Sequence, residues 1–256
     1  MPWDPPQYLK FGDYRLRPAL DLLGRVRADE PGEVYDLGAG AGNVTRVLRE
    51  RWPGARLTGV DDSPEMLAKA RAAEPSTTWQ LADLATWEPS RPADVIYSNA
   101  ALHWVEDHRR LFPALLDVLA PGGTLAVQMP RNFAAPSHTL IADAARNGPW
   151  RPRLEPLLRR APVADPGFYH DLLAPLASSL DIWETEYLHV LQGADPVKEW
   201  VKGTWLRPLL DALDETERPA FETSYAEMLR MAYPPRADGH TLFPFRRIFL
   251  VATTSS

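Results

Sequence analysis

The 256-residue sequence contains no cysteine. A chain without thiols forms no disulfide, offers no thiolate nucleophile and cannot ligate zinc through cysteine. Its six histidines form no His-Glu-x-x-His or similar helical pair, so we expect no metal site. The sequence also lacks an apolar run of roughly 18 residues, the length that a membrane-spanning helix requires. Its first residues show no basic stretch followed by an apolar one, and we therefore expect a cytoplasmic protein.

Positive charge is in the minority, because 28 lysines and arginines face 34 aspartates and glutamates, for a formal net charge of −6. A protein that binds nucleic acid normally presents a basic face. We therefore expect no nucleic-acid partner and no membrane partner, but a small-molecule substrate and a monomer or weak homodimer. An anionic substrate would need a local basic cluster within this acidic protein.

Only 15 glycines are present, but Gly38, Gly40 and Gly42 alternate directly after a short apolar strand that begins near Val34. Glycine lacks a Cβ, so such a backbone can turn tightly with positive φ and approach a ligand closely. A helical pattern follows, and the unpaired N–H groups of its first turn would point to the same place. The stretch predicts a pocket for a nucleotide-like cofactor.

Strands and helices alternate along the first half of the chain, which indicates an α/β fold. A helix marked by Leu111, Phe112 and Leu115 is expected to end at Pro121-Gly122-Gly123. The rhythm predicts a doubly wound, mostly parallel, Rossmann-like seven-stranded sheet with its ligand beyond the carboxyl ends of the strands. Strands are predicted at about 34–37, 56–61, 77–83, 94–99, 124–129, 181–190 and 246–253.

We expect the whole chain to form one domain, since it is too short for two generous ones. The predicted core comprises residues 30–130, 181–192 and 241–256. Residues 131–180 and 195–240 read as helical insertions that form a lid over the pocket, and residues 1–29 as an N-terminal cover.

The spacing of the glycines favours one class of cofactor. Nicotinamide and flavin enzymes use GxGxxG to receive a pyrophosphate, whereas the spacing here is GxGxG and Asp36 precedes it. A carboxylate at Asp36 would repel a pyrophosphate, but it suits the ammonium group at the amino-acid end of S-adenosylmethionine. We therefore favour S-adenosylmethionine over a dinucleotide.

Polar side chains follow three further predicted strands. Asp61 could accept both ribose hydroxyls, as it would for a dinucleotide too, and the pair Asp83-Leu84 could take the adenine. Asn99 lies where the methyl donor should meet its substrate. The expected cofactor-binding set is Asp36, Gly38, Gly40, Asp61, Asp83, Leu84 and Asn99.

These residues, with the turn at 121–123, resemble those of class I S-adenosylmethionine-dependent methyltransferases. Further segments extend the likeness over almost the whole chain: Trp3-Asp4-Pro5, 8–11, 15–18, 98–104, 126–130 with Asn132, Trp200-Val201, 206–208 and the region of Arg247. They resemble the trans-aconitate 2-methyltransferase family. The resemblance implies the class I fold with an antiparallel last strand, S-adenosylmethionine as cofactor, and methyl esterification of one carboxylate of trans-aconitate.

Such chemistry needs no general base, because a carboxylate is already ionised at neutral pH. Catalysis would come from holding a carboxylate oxygen in line with the methyl group, in a site closed to water. A substrate with three carboxylates calls for arginine, whose planar guanidinium bonds carboxylates in pairs. The candidate substrate-binding residues are Arg131, Arg207 and Arg247, with Tyr8, His103 and Trp104 shaping the pocket.

Other functions stay open at this point. Within the fold, the acceptor could be another carboxylic acid, a carrier-bound acyl group or a quinone-type compound, and the last would need a base. An NAD-dependent oxidoreductase and a non-catalytic cofactor-binding regulator are the alternatives from other classes.

Overall fold

The structure is a computed structural model that describes Tyr14 and residues 16–256. Tyr8 lies outside these residues, as do the other residues of 1–13 and Arg15 in the expected N-terminal cover. Seven strands form one sheet. They are β1 Glu33–Leu37, β2 Arg56–Asp61, β3 Thr78–Leu81, β4 Ala93–Asn99, β5 Leu119–Pro130, β6 Ser179–Leu191 and β7 Thr241–Thr253.

The strand order is β3-β2-β1-β4-β5-β7-β6. The first five strands are parallel to their neighbours. The last strands run antiparallel: Gly122 bonds to Ser255 at one end of β5 and β7, and Arg131 bonds to Arg246 at the other. Strands β2 and β4 lie on opposite sides of β1, so the strand order reverses at β1. Ligands of open α/β sheets bind at such a switch point. The predicted fold and its antiparallel last strand are confirmed.

Helices connect the strands as the sequence pattern predicts. Ser63 accepts a hydrogen bond from the backbone N–H of Met66 at 3.3 Å and caps the third of the helices, and Pro64 occupies its first turn. The helices are α1 Leu16–Leu23, α2 Asn43–Arg51, α3 Pro64–Ala73, α4 His108–Asp117, α5 Pro136–Arg146, α6 Arg151–Leu154, α7 Pro166–Leu173, α8 Pro196–Lys202, α9 Arg207–Asp211 and α10 Glu217–Ala232.

The segment Pro121-Gly122-Gly123 does not end a helix, contrary to the sequence-based expectation. Helix α4 ends at Asp117, and the three residues lie inside β5. A Cβ on Gly123 would lie 2.7 Å from the carbonyl oxygen of Ala93, where the register between β4 and β5 shifts. Glycine is therefore needed where two strands approach closely at an irregularity. The sequence alone does not distinguish this use of glycine from the end of a helix.

The chain divides into two compact units. The first comprises the described residues up to 129 together with 163–185 and 248–256, and the second comprises residues 130–162 and 186–247. The second unit has its own apolar core, in which Leu154, Phe221 and Tyr225 are fully buried. The expected division into a core and a lid stays a prediction. No helix in the described part of the chain is both long and apolar enough to span a membrane.

Candidate functional site

The glycine turn connects β1 to α2 at the carboxyl edge of the sheet. Gly38, Gly40 and Gly42 all have positive φ, at 77°, 55° and 84°. A Cβ on Gly38 would lie 2.0 Å from the Cβ of Ala101, and one on Gly42 would lie 2.8 Å from the ring of Trp79. A Cβ on Gly40 would meet no atom of the described residues within 4 Å. The outer two glycines therefore let the turn pack, while Gly40 borders open space in which a ligand could lie.

Asp61, at the end of β2, holds this turn in place. Its Oδ2 accepts a hydrogen bond from the backbone N–H of Gly40 at 2.8 Å, and its Oδ1 accepts one from Ser63 at 2.9 Å. Each carboxylate oxygen can accept a further bond, because an ionised carboxylate has about four acceptor positions. Asp61 thus has a structural role in this turn, and its predicted role toward a ribose stays a prediction.

Asp36 lies behind the turn and is only 1% exposed. The hydroxyl of Thr45 donates to its Oδ2 at 2.6 Å. Burial raises the pKa of Asp36 from 3.8 to about 7, the Thr45 hydrogen bond opposes the rise, and the charge of Asp61 adds to it. The ionised carboxylate lacks hydration in this position, and a positively charged ligand group beside it would offset that loss.

Asn99 lies at the carboxyl end of β4, opposite Gln128 of β5. Its Oδ1 is enclosed and accepts no hydrogen bond from the residues that the structure describes. The following residue, Ala100, has a φ of 55°, which is unusual for a residue other than glycine. Such strained backbone commonly occurs at functional sites.

The remaining candidates for the adenine lie after β3. Asp83 is exposed, and its Oδ1 accepts a hydrogen bond from the backbone N–H of Ala85 at 2.9 Å. Leu84 is half-buried, and its Cδ1 would lie 3.8 Å from a Cβ on Gly38. Leu84 is therefore a neighbour of the glycine turn, whereas the side chain of Asp83 already takes part in a local turn.

His103 and Trp104 lie on a short 3₁₀ helix, Leu102–Trp104, just after β4. Their rings are 4.7 Å apart, with His103 buried and Trp104 half exposed. His108 anchors this helix, because its Nε2 is 2.9 Å from the carbonyl oxygen of Leu102 and must donate to it. Its Nδ1 then accepts from the hydroxyl of Tyr169 at 2.7 Å. Burial lowers the pKa of His108, which favours the neutral ring that these two hydrogen bonds require.

The three candidate arginines fall in the second unit and differ in exposure. Arg247 on β7 is 4% exposed, and its guanidinium lies 4.8 Å from the ring of Phe245. Arg131 is half-buried after β5. Arg207 is exposed at the start of α9, with its Nε 3.7 Å from a carboxylate oxygen of Asp211. Of the three, Arg247 is the most buried, and the roles of all three in substrate binding stay predictions.

Sequence reasoning missed the residues that support the turn from a distance. Thr45 bonds Asp36, Ala101 packs against Gly38, and Trp79 fills the space beside Gly42 and Gly59. No spacing or motif marks these contacts, since two of the three join elements far apart in the chain. The one available signal was the alternating glycines themselves, because a residue without a Cβ allows neighbouring groups to approach the backbone closely.

Within the residues that the structure describes, no group of three histidine, aspartate or glutamate side chains could hold a metal ion. The polar groups of the region are carboxylates, an amide, a buried imidazole and backbone N–H groups.

Comparison with known proteins identifies the family of the chain. Residues 34–123 match a family described as a methyltransferase domain. A trans-aconitate 2-methyltransferase of Azoarcus sp. (strain BH72) is 51% identical over 250 residues, which are 98% of this chain and 98% of the relative. One from Streptomyces avermitilis is 51% identical over 98% of this chain and 96% of its own length.

Solved structures with low sequence identity share the fold. The YcgJ protein from Bacillus subtilis superposes with a TM-score of 0.59 at 15% identity, covering 94% of this chain and 99% of that one. Phosphoethanolamine N-methyltransferase 2 of Haemonchus contortus, in complex with S-adenosyl-L-methionine, gives a TM-score of 0.57 at 16% identity. The match covers 94% of this chain and 53% of that chain. With the full-length identity to the curated relatives, these findings show that the chain belongs to the trans-aconitate 2-methyltransferase family of class I methyltransferases.

Proposed function

We propose that this protein transfers the methyl group of S-adenosylmethionine to one carboxylate of trans-aconitate or of a closely related small polycarboxylate. The observation that carries the proposal is the identity of about half of all residues, over 98% of the chain, to relatives named trans-aconitate 2-methyltransferase. The geometry of the glycine turn supports the choice of cofactor.

The residues of the first unit fit S-adenosylmethionine in three respects. Gly40 borders open space where any side chain would intrude. Asp36 is a buried carboxylate whose charge calls for a positive partner, and the Oδ1 of Asn99 is an enclosed acceptor that receives no donor from the described residues. An ammonium group, which S-adenosylmethionine carries, supplies both positive charge and N–H donors.

Bound S-adenosylmethionine supplies an electrophilic methyl group on a sulfonium. The chain would bind and orient it through Asp36 at the amino-acid end and through the remaining acceptor positions of Asp61 at the ribose. Asp61 suits this task because its two bonds to Gly40 and Ser63 fix the carboxylate before any ligand arrives. A positioned acceptor loses less entropy on binding than a free one.

No side chain has to remove a proton from a carboxylate substrate, whose pKa lies near 4. The task left for the protein is to hold three negative charges and to exclude water. Arg247 is the strongest candidate for the first task, since its side chain is buried and its guanidinium lies beside the ring of Phe245. His103, also buried, is the strongest candidate to shape the pocket after β4.

The proposal is tested by incubating the protein with methyl-labelled S-adenosylmethionine and a panel of acceptors: trans-aconitate, other carboxylic acids, a carrier-bound acyl group and a phenol. We expect label on trans-aconitate that mild base releases, as it does from a methyl ester. The Asp36→Asn variant serves as the control with impaired cofactor binding. Label on the phenol, with none on any carboxylic acid, would overturn the proposal.

A further inference from the structure

A second cleft lies at the amino-terminal ends of β1 and β2, at the edge of the sheet opposite the glycine turn. It belongs to the first unit and has a volume of about 600 Å³. Three hydroxyl-bearing residues lie in one row across its floor, because the strand register pairs Tyr35 with Thr58 and Thr58 with Thr78. Residues that are paired in this way point to the same face of the sheet.

The charged side chains of this cleft are mainly basic. Arg49, Arg56 and Arg91 line it together with one carboxylate, Glu33. The Oε1 of Glu33 accepts from Arg56 Nε at 2.6 Å and from Arg91 Nη1 at 3.4 Å. Three guanidinium groups against one carboxylate leave two positive charges, although the protein as a whole carries a net charge of −6.

Arg49 is the least committed of the three arginines. Its Nη1 donates to the carbonyl oxygen of Ala55 at 2.7 Å, and over the described residues it has no carboxylate partner. Thr58 and Thr78 also line the cleft, and no side-chain hydrogen bond among the described residues involves their hydroxyls. The cleft thus offers guanidinium and hydroxyl donors that are not used within the protein.

We propose that this cleft binds a small phosphorylated metabolite, with Arg49 as its main charged contact and Thr58 and Thr78 as hydroxyl donors. A phosphate group carries a charge of about −1.5 to −2 at neutral pH, which matches the excess charge of the lining. Guanidinium groups bond phosphate oxygens in pairs, and the hydroxyls can satisfy the remaining oxygens. The ligand is distinct from the methyl donor, whose candidate residues lie at the other edge of the sheet.

The test measures binding of inorganic pyrophosphate by calorimetry in a phosphate-free buffer. We expect saturable one-site binding to the wild-type protein and a loss of about tenfold or more in affinity for Arg49→Gln. Arg46→Gln is the matched control, because Arg46 is exposed on the same helix α2 and does not line the cleft. It should bind pyrophosphate within about twofold of wild type.

Arg49 also holds the loop carbonyl of Ala55, so a second variant guards against a loosened loop. Thr58→Val removes one hydroxyl at nearly constant volume and should weaken pyrophosphate binding several-fold. Both variants should bind S-adenosylhomocysteine as tightly as wild type does. Absence of saturable binding, equal losses in Arg46→Gln and Arg49→Gln, or an affinity for citrate equal to that for pyrophosphate would overturn the proposal.

Discussion

Asp36 combines nearly complete burial with a negative charge, and a single residue of this kind affects both stability and binding. Its folded-state pKa of about 7 lies above the ordinary value of 3.8 because the carboxylate loses its hydration. The folded protein therefore holds this proton more tightly than the unfolded chain does. The free energy of unfolding therefore decreases as pH rises from about 4 to 7, and the whole decrease is present above pH 7.

The first prediction is that Asp36→Asn stabilises the ligand-free protein at pH 8. A shift of about three units corresponds to at most about 4 kcal/mol at this pH, and a neutral amide avoids that cost. At pH 5 the folded carboxyl is mostly protonated whereas the unfolded one is already mostly ionised, so the gain should fall to less than half of its value at pH 8. Urea unfolding at both pH values measures the difference, and an equal effect at pH 5 and pH 8 would contradict the assigned pKa.

The second prediction concerns S-adenosylhomocysteine, which keeps the ammonium group. Its affinity should fall as pH drops below about 7, by up to about tenfold per unit, because Asp36 must release a proton to receive the ammonium. Calorimetry between pH 5 and 8 measures this dependence. Thr45→Val, which removes the hydroxyl that donates to Asp36, should move the dependence to higher pH, whereas Thr45→Ser should leave it in place.

The third prediction separates two glycines of the same turn. Gly40→Ala should cost about 1–2 kcal/mol for its positive φ and should weaken S-adenosylhomocysteine binding more than tenfold, since the methyl group enters the open space. Gly38→Ala should cost about 3 kcal/mol or more, because its methyl also overlaps Ala101. Urea unfolding and binding measurements compare the two. The reverse order of stability would mean that the turn packs differently.

Two helices of the first unit meet at a buried hydrogen bond. His108 begins α4, Tyr169 belongs to α7, and the imidazole between Tyr169 and Leu102 fixes the 3₁₀ helix that carries His103. Burial lowers the pKa of His108 below 6.5, so its contribution to stability is present above that value and is lost as pH falls through the folded-state pKa.

The fourth prediction is that Tyr169→Phe lowers the free energy of unfolding by about 1–3 kcal/mol at pH 7.5, because the buried Nδ1 of His108 loses its donor. Urea unfolding measures the loss. The same substitution should cost clearly less in a His108→Phe background, where no acceptor is left unsatisfied. Equal costs in both backgrounds would show that the hydrogen bond contributes little.

At the scale of elements, local signals succeeded where local chemistry decides the outcome. Strand β2 was predicted at 56–61 and lies at Arg56–Asp61, and Ser63 with Pro64 caps the helix that follows, because capping acts within a few residues. The prediction that a helix ends at Pro121-Gly122-Gly123 was wrong, because the same residue types can end a helix or permit an irregularity in a strand. The approach of Ala93, which decides between the two, is not visible in the local sequence.

For the molecule as a whole, the candidate residues divide between the two units: those for the cofactor fall in the first and the three arginines in the second. The fifth prediction is that Arg247→Ala raises the KM for trans-aconitate at least about tenfold and leaves the affinity for S-adenosylhomocysteine unchanged. Arg207→Ala should have a smaller effect, because Arg207 is exposed and close to Asp211. Steady-state kinetics and calorimetry provide the measurements.

Arg246→Ala is the matched control for this prediction, since Arg246 adjoins Arg247 on β7 but is half exposed and pairs weakly with Glu186. An equal rise in KM for Arg246→Ala would mean that the loss of any positive charge in this region raises KM, and it would contradict a specific role for Arg247. Thermal unfolding of each variant checks that the second unit remains folded.

The sequence by itself determined the α/β fold, the glycine turn and the class of cofactor, because period, glycine spacing and strand-end carboxylates are local consequences of residue order. The tertiary structure alone decided that Asp36 is sealed against Thr45, that Asp61 fixes the turn through Gly40, and that Arg247 is buried whereas Arg207 is exposed. Desolvation and close packing depend on which distant residues surround a side chain. That arrangement exists only after the chain has folded.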